Sequence, residues 1–171
     1  MSDQPSTPPD MLTHVGPDGR ARMVDVSAKP ATERVARASG AILMSRTALD
    51  AVRANALAKG DVLGVARVAG VMGAKRTSEL VPLCHPVPLT DVQVDLALDE
   101  ALPGVRVEAT ARTVAPTGVE MEAIVAVTTA LVTVYDMVKG ADRGMTITDV
   151  RLEEKRGGRS GHWRREPGNG G

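Results

Sequence analysis

An α+β fold, with helices covering one face of an antiparallel sheet, is what three features of this sequence predict. Two stretches, "DVQVDLAL" and "GVRVEATART", alternate apolar and polar residues around "DEALPG", which is a hairpin pattern. Three other segments carry helix start and stop signals. Strands and helices interleave without the regular βαβ alternation that builds a parallel sheet.

Taken in order, residues 1–11 have the composition of a disordered tail. A single domain is expected over residues 12–161, and residues 162–171 are expected to form a flexible tail. "ARMVDVS" and "RVARASGAILM" read as strands. "SRTALDAVRANALAKG" reads as a helix with Ser45 as N-cap and Gly60 just past its end. "DVLGVARVAGVMGAKRTSEL" reads as a second helix, capped by Asp61, whose small residues allow a closely packed face. The prolines of "VPLCHPVPLT" stop it. After the hairpin, "PTGVEMEAIVAVTTALVTVYDMVKG" reads as a long helix, with Thr117 to Glu120 as a capping box and Gly140 as its stop. "GMTITDVRLEE" closes with a strand.

Composition narrows the function classes. Hydrophobic content of 43% and charged content of 25% are those of a globular protein. Phe is absent, with one Trp and one Tyr, so the core has to be packed from Val, Ala, Leu, Ile and Met. The 21 basic and 21 acidic residues balance, which leaves no electrostatic footprint for nucleic acid. A binding module for an RNA would also need aromatics on which to stack bases. No apolar run of membrane-span length and no signal peptide are expected, so no membrane partner is either. The lone Cys84 suits a reducing cytoplasm and rules out a metal site of several thiolates.

The chemistry-bearing residues fall into groups. Cys84 and His85 are adjacent in a proline-braced segment, so their side chains point to opposite sides and His85 is badly placed to activate the thiol. Cys84 then reads as a small buried hydrophobe. His85 is either a turn histidine or a rigid hydrogen-bonding group in a pocket wall. Glu120 and Glu122 open the long helix, as capping and dipole-matched residues or as acceptors for the amino and imino edge of a purine or pterin. Asp136 and Lys139 share a face near the other end, as a solvated ion pair or a proton-transfer pair. Glu122 and Asp136 stand roughly 21 Å apart along a continuous helix, at ~1.5 Å per residue. One small substrate cannot reach both ends, so a site using both needs an oligomer. Lys29, Lys59, Lys75 and Arg76 are further cations, and "KRGGRSG", which contains Lys155 and Arg159, combines glycine and positive charge as a phosphate grip or a solvated basic segment. No P-loop or dinucleotide-binding glycine motif appears.

Together, "LTHVGPDGRARMVDVSAK", "KGDVLGVARVAGVMGAKRTSELVPLCHPVPLT", "TGVEMEA", "YDMVKGADRGM" and "KRGGRSG" resemble, in this order, the cyclic pyranopterin monophosphate synthase family of molybdenum cofactor biosynthesis. The resemblance implies a ferredoxin-like fold assembled as a homohexamer, a trimer of dimers with active sites between subunits. It implies a lyase that converts 3′,8-cyclo-7,8-dihydro-GTP, made by an upstream radical GTP cyclase, to cyclic pyranopterin monophosphate and diphosphate. Substrate contacts then fall on Leu83, Cys84, His85, Glu120, Met121 and Glu122. Asp136, Lys59 and Lys139 become the catalytic group, Lys29 a further substrate-binding residue, and Lys75, Arg76, Lys155 and Arg159 the triphosphate grip. No metal or redox cofactor is implied in principle, although Mg²⁺ can accompany the triphosphate. Arg143 and Arg159 stand where the family pattern leads one to expect lysine; arginine keeps the charge but donates no proton near neutral pH.

Overall fold

A computed structural model describes residues 19–166. The elements are β1 (Thr32–Leu43), α1 (Arg46–Arg53), α2 (Val62–Lys75), the single turn α3 (Thr77–Leu80), β2 (Leu89–Asp99), β3 (Gly104–Ala115), α4 (Glu120–Val138), β4 (Thr146–Arg156) and β5 (Trp163–Arg164). The strands form one antiparallel sheet in the order β2-β3-β1-β4-β5. A strand, helices, a hairpin, a helix and a strand, with β1 and β3 at the centre, make the split βαβ of a ferredoxin-like domain.

Alternation decides which face the helices cover. Ala36, Ala38, Gly40 and Ile42 of β1 lie opposite Ala111, Ala109, Val107 and Val105 of β3, and all eight are buried. The partner face holds ion pairs such as Arg37 with Glu108 at 3.3 Å and Arg112 with Asp91 at 3.7 Å. A core without phenylalanine fills by close approach instead. A Cβ on Gly40 would stand 2.8 Å from Val127 Cγ1 of α4, and one on Gly70 of α2 would stand 3.0 Å from the Ala126 carbonyl.

The structure departs from the sequence reading in five places. Residues 21–27 alternate like a strand, but only Ala21 makes an isolated bridge. The Asp25 carboxylate accepts from Ser27 N–H at 2.9 Å and Ser27 Oγ–H at 2.6 Å, which closes a turn there. Ser45 does cap α1, accepting from Ala48 N–H at 3.3 Å, but the helix ends at Arg53, before Asn55 takes a left-handed φ of 51°. Thr117 does not cap α4: Val119 holds the N-cap position with no side-chain hydrogen bond. The fourth departure is that α4 is long and apolar enough to span a membrane, with mean hydropathy 1.6, where no such run is expected. Its apolarity has a local cause, since Ala123, Ala126, Val127, Ala130, Leu131 and Val134 are fully buried in the core. Finally, the sheet continues past residue 161, because β5 pairs with β4 inside a segment of tail-like composition. Residues 1–11 lie outside the described residues.

Candidate active site

Two clefts open at opposite ends of α4. The first encloses about 650 Å³ between the start of β1, the start of α4 and the loop after β4. Lys29, Arg34, Lys155, Arg156 and Arg159 line it, against the single carboxylate of Glu120. Its geometry depends on glycine. Gly157 and Gly158 have φ of 95° and 74°; a Cβ on the first would collide with the Glu33 carbonyl, and on the second with the Arg34 guanidinium. The loop can therefore cross the start of β1 only without side chains. The Glu120 carboxylate folds over Gly118 and approaches Lys155 Nζ at 3.5 Å, while Lys155 Nζ also donates to Ser160 Oγ. Five cations around backbone-rich glycine turns make a site suited to a polyphosphate.

The second cleft, also about 650 Å³, lies at the other end of α4 and is lined by Leu57, Lys59, Tyr135, Asp136, Lys139 and Arg143. Lys59 Nζ donates to Asp136 Oδ2 at 2.5 Å and to its backbone carbonyl at 3.0 Å. Lys139 Nζ donates to Asp136 Oδ1 at 2.6 Å. Hydrogen bonds from Lys139 and then from Lys59 hold the Asp136 carboxyl down at about 2. The single aspartate orients two ammonium groups. Tyr135 O–H donates to the Arg143 carbonyl at 3.1 Å, which ties the floor of this cleft to the chain after α4.

Near the first cleft, on the first turn of α4, Glu122 is buried at 3% exposure. The Cys84 thiol lies 3.7 Å from its Oε1, brought there by a turn in which Cys84 N–H donates to the Val81 carbonyl at 3.0 Å. Burial raises the Glu122 pKa. Burial, followed by the Glu122 charge, pushes the Cys84 thiol up to about 11. His85 is half-buried. The Asp25 carboxyl is held below its usual range chiefly by the hydrogen bonds from Ser27. We expect iodoacetamide to leave Cys84 largely unmodified at neutral pH and to react as pH approaches about 11, where the thiolate forms. Rapid alkylation at neutral pH, followed by mass spectrometry, would contradict this. Cys84→Ala should remain active.

The structure brings Lys29, Glu120, Lys155 and Arg159 together in the first cleft and Lys59, Asp136 and Lys139 in the second. Lys75 and Arg76, at the end of α2, line neither. Leu83 is half-buried in the Cys84 turn, and Met121 is exposed beside Glu122. Two lining residues escape a sequence reading. Arg34 is one of several arginines in an alternating strand, and nothing local marks it. Tyr135 carries a usable signal, as the only tyrosine in a chain nearly free of aromatics.

A MoaC family profile matches residues 23–158. The chain is 59% identical to a cyclic pyranopterin monophosphate synthase of Cereibacter sphaeroides over 152 residues, covering 89% of this chain and 96% of that protein. It is 58% identical to one from Thermomicrobium roseum over 155 residues, covering 91% and 93%. It is 57% identical to one from a Methylobacterium species over 156 residues, covering 91% and 98%. The matched span contains the whole lining of the second cleft and, except for Arg159 and Ser160, that of the first. This chain belongs to the MoaC family.

Proposed function

We propose that this protein is a cyclic pyranopterin monophosphate synthase, a lyase of molybdenum cofactor biosynthesis. It converts 3′,8-cyclo-7,8-dihydro-GTP to cyclic pyranopterin monophosphate and diphosphate. The observation that carries the reading is the pairing, on one α4, of a cationic glycine-lined cleft with a Lys–Asp–Lys cluster. The reaction opens an imidazole ring, closes a pterin and lets a ribose-derived hydroxyl attack the α-phosphorus. It needs proton carriers, a hold on the base edge and neutralisation of the triphosphate.

Lys29, Arg34, Lys155 and Arg159 take the triphosphate and stabilise the departing diphosphate. Glu122 and His85 meet the base edge, with Met121 and Leu83 beside them. Lys59 and Lys139 move protons. A carboxyl held at about 2 is a poor base near neutral pH, so Asp136 orients the two lysines rather than carrying protons itself. The reaction balances on proton transfers alone, and Mg²⁺ bound to the triphosphate is compatible with it.

The two clefts are separated by most of α4, so a complete site requires the end of one subunit's helix to meet the start of another's. An exposed apolar stripe on α2, Val65, Val68 and Met72, continued by Val132 on α4, supports self-association. The stripe supports an oligomer in general; its form, a hexamer built as a trimer of dimers, is what the family resemblance implies, with Lys75 and Arg76 available to a neighbouring subunit's site. The reaction belongs in the cytoplasm, downstream of the radical cyclase that makes its substrate.

Anaerobic incubation with the cyclised GTP intermediate, assaying diphosphate and pterin together, tests the reading. Stoichiometric release of both from the intermediate and none from GTP is expected. Binding without release of either would reject the synthase assignment.

A further inference from the structure

The family match ends at Gly158, yet the chain beyond it returns to the sheet. Trp163 pairs with Lys155 and Arg164 with Glu154. Arg165 N–H donates to the Glu153 carbonyl at 2.9 Å, and Arg165 Nε donates to the Leu152 carbonyl at 3.0 Å. The Arg165 guanidinium also lies 5.8 Å from the centre of the Trp163 ring. On the other strand face, His162 Nε2 is 2.8 Å from Glu154 Oε1. These contacts fasten the far end of a loop whose near end is Lys155. Between them, Gly157, Gly158 and Gly161 all have positive φ, and Gly161 N–H closes a turn on the Gly158 carbonyl at 3.0 Å.

Without β5 this stretch would be an open-ended chain of glycines beside the cleft. Such a chain samples many conformations and loses that freedom on gripping an anion. With β5 it is a closed hairpin loop, and Ser160 already holds the Lys155 ammonium. We infer that β5 is a strut that preorganises the anion-binding loop, with Trp163 and Arg165 acting as positioning residues for Lys155 and Arg159. The inference rests on the proposed reading only in naming the anion as the substrate's triphosphate. Trp163 and Arg165 touch no reacting atom, so their effect falls on binding.

The test uses the full-length protein, Arg165→Ala and Trp163→Pro, with Trp163→Phe as the conservative variant. Trp163→Pro removes a ladder donor; Arg165→Ala keeps the strand and removes its two side-chain anchors, so it serves if the proline variant does not fold. Calorimetric binding of inorganic diphosphate and steady-state turnover are both measured, with thermal unfolding as a check on the fold. We expect diphosphate affinity to fall and KM to rise by about tenfold, while kcat stays within about twofold, because only preorganisation is lost. Trp163→Phe should bind as the unaltered chain does. Unchanged KM and diphosphate affinity in folded Arg165→Ala and Trp163→Pro would overturn the inference and leave the synthase reading intact. An unaltered chain that fails to bind diphosphate would overturn it as well. Diphosphate binding that depends on β5, in a chain that does not turn over the intermediate, would uphold the strut and reject the synthase reading.

Discussion

Lys139→Ala should leave the protein folded and lower kcat by ~10²–10⁴, the usual range for losing a positioned proton carrier. Its ion pair with Asp136 is half exposed on both sides, so the variant should unfold near the unaltered temperature. Lys139→Arg separates proton transfer from charge, since arginine retains the charge but holds its proton at neutral pH. It should be as inactive as the alanine variant. Recovery of turnover in Lys139→Arg would show that the charge alone matters, and the proton role would have to be withdrawn. The pH dependence follows from Asp136. Its folded pKa, about 2, lies below the ordinary aspartate value. Its stabilising contribution is therefore complete above the unfolded value and is lost as pH falls through about 2. Any loss of activity on mild acidification, above about pH 4, has to come from another group.

Leu131→Ala should give a large stability loss, about 3–5 kcal/mol. Leu131 is one of the few large side chains that are fully buried, with Ile42 and Leu49. It sits where β1 and α4 come closest: a Cβ on Gly40 would already stand 2.9 Å from Leu131 Cδ1. The core it belongs to is mostly alanine and valine, whose short or β-branched side chains have little freedom to swing into a void, and no phenylalanine is present to tilt across one. The cavity therefore stays open. At roughly 2–4 °C per kcal/mol for a chain of this size, thermal unfolding should fall by about 10 °C. Leu131→Met conserves volume and should cost less than ~1.5 kcal/mol. A calorimetric shift of Leu131→Ala no larger than that of Leu131→Met would show that the core collapses around the deletion.

Much of the architecture was legible because it depends on period and punctuation. The hairpin, the Ser45 and Asp61 caps and the start of β4 all follow from local patterns that burial then reinforces. The failures share one feature: a local pattern lost to another contact, local in one case and tertiary in the other. Residues 21–27 alternate correctly, but β2 and β5 hold the edges and the Asp25 carboxylate satisfies Ser27 directly. Thr117 and Glu120 have capping-box spacing, yet Glu120 reaches Lys155 in space instead of reaching back to Thr117. The site was partly legible for the same reason. Asp136 and Lys139 are helix neighbours and declare themselves, whereas Lys59 joins them from 77 residues away. The distance between the two ends of α4 was calculable from helix geometry alone, and it set the condition that a site using both ends needs two subunits. Arg34 was invisible because its significance lies in a loop that crosses it more than a hundred residues later.

The scarcity of aromatic residues has an optical consequence. The one indole, Trp163, sits on the strand paired with Lys155 beside the first cleft, and the one phenol, Tyr135, lines the second. Each half of the proposed site thus contains its own chromophore against a background free of others. Selective excitation of the indole reports the loop, and in the proposed assembly energy transfer from the phenol to the indole would report how near one end of α4 comes to the other end of a neighbour's. Assembly of the site can be followed in the unlabelled protein.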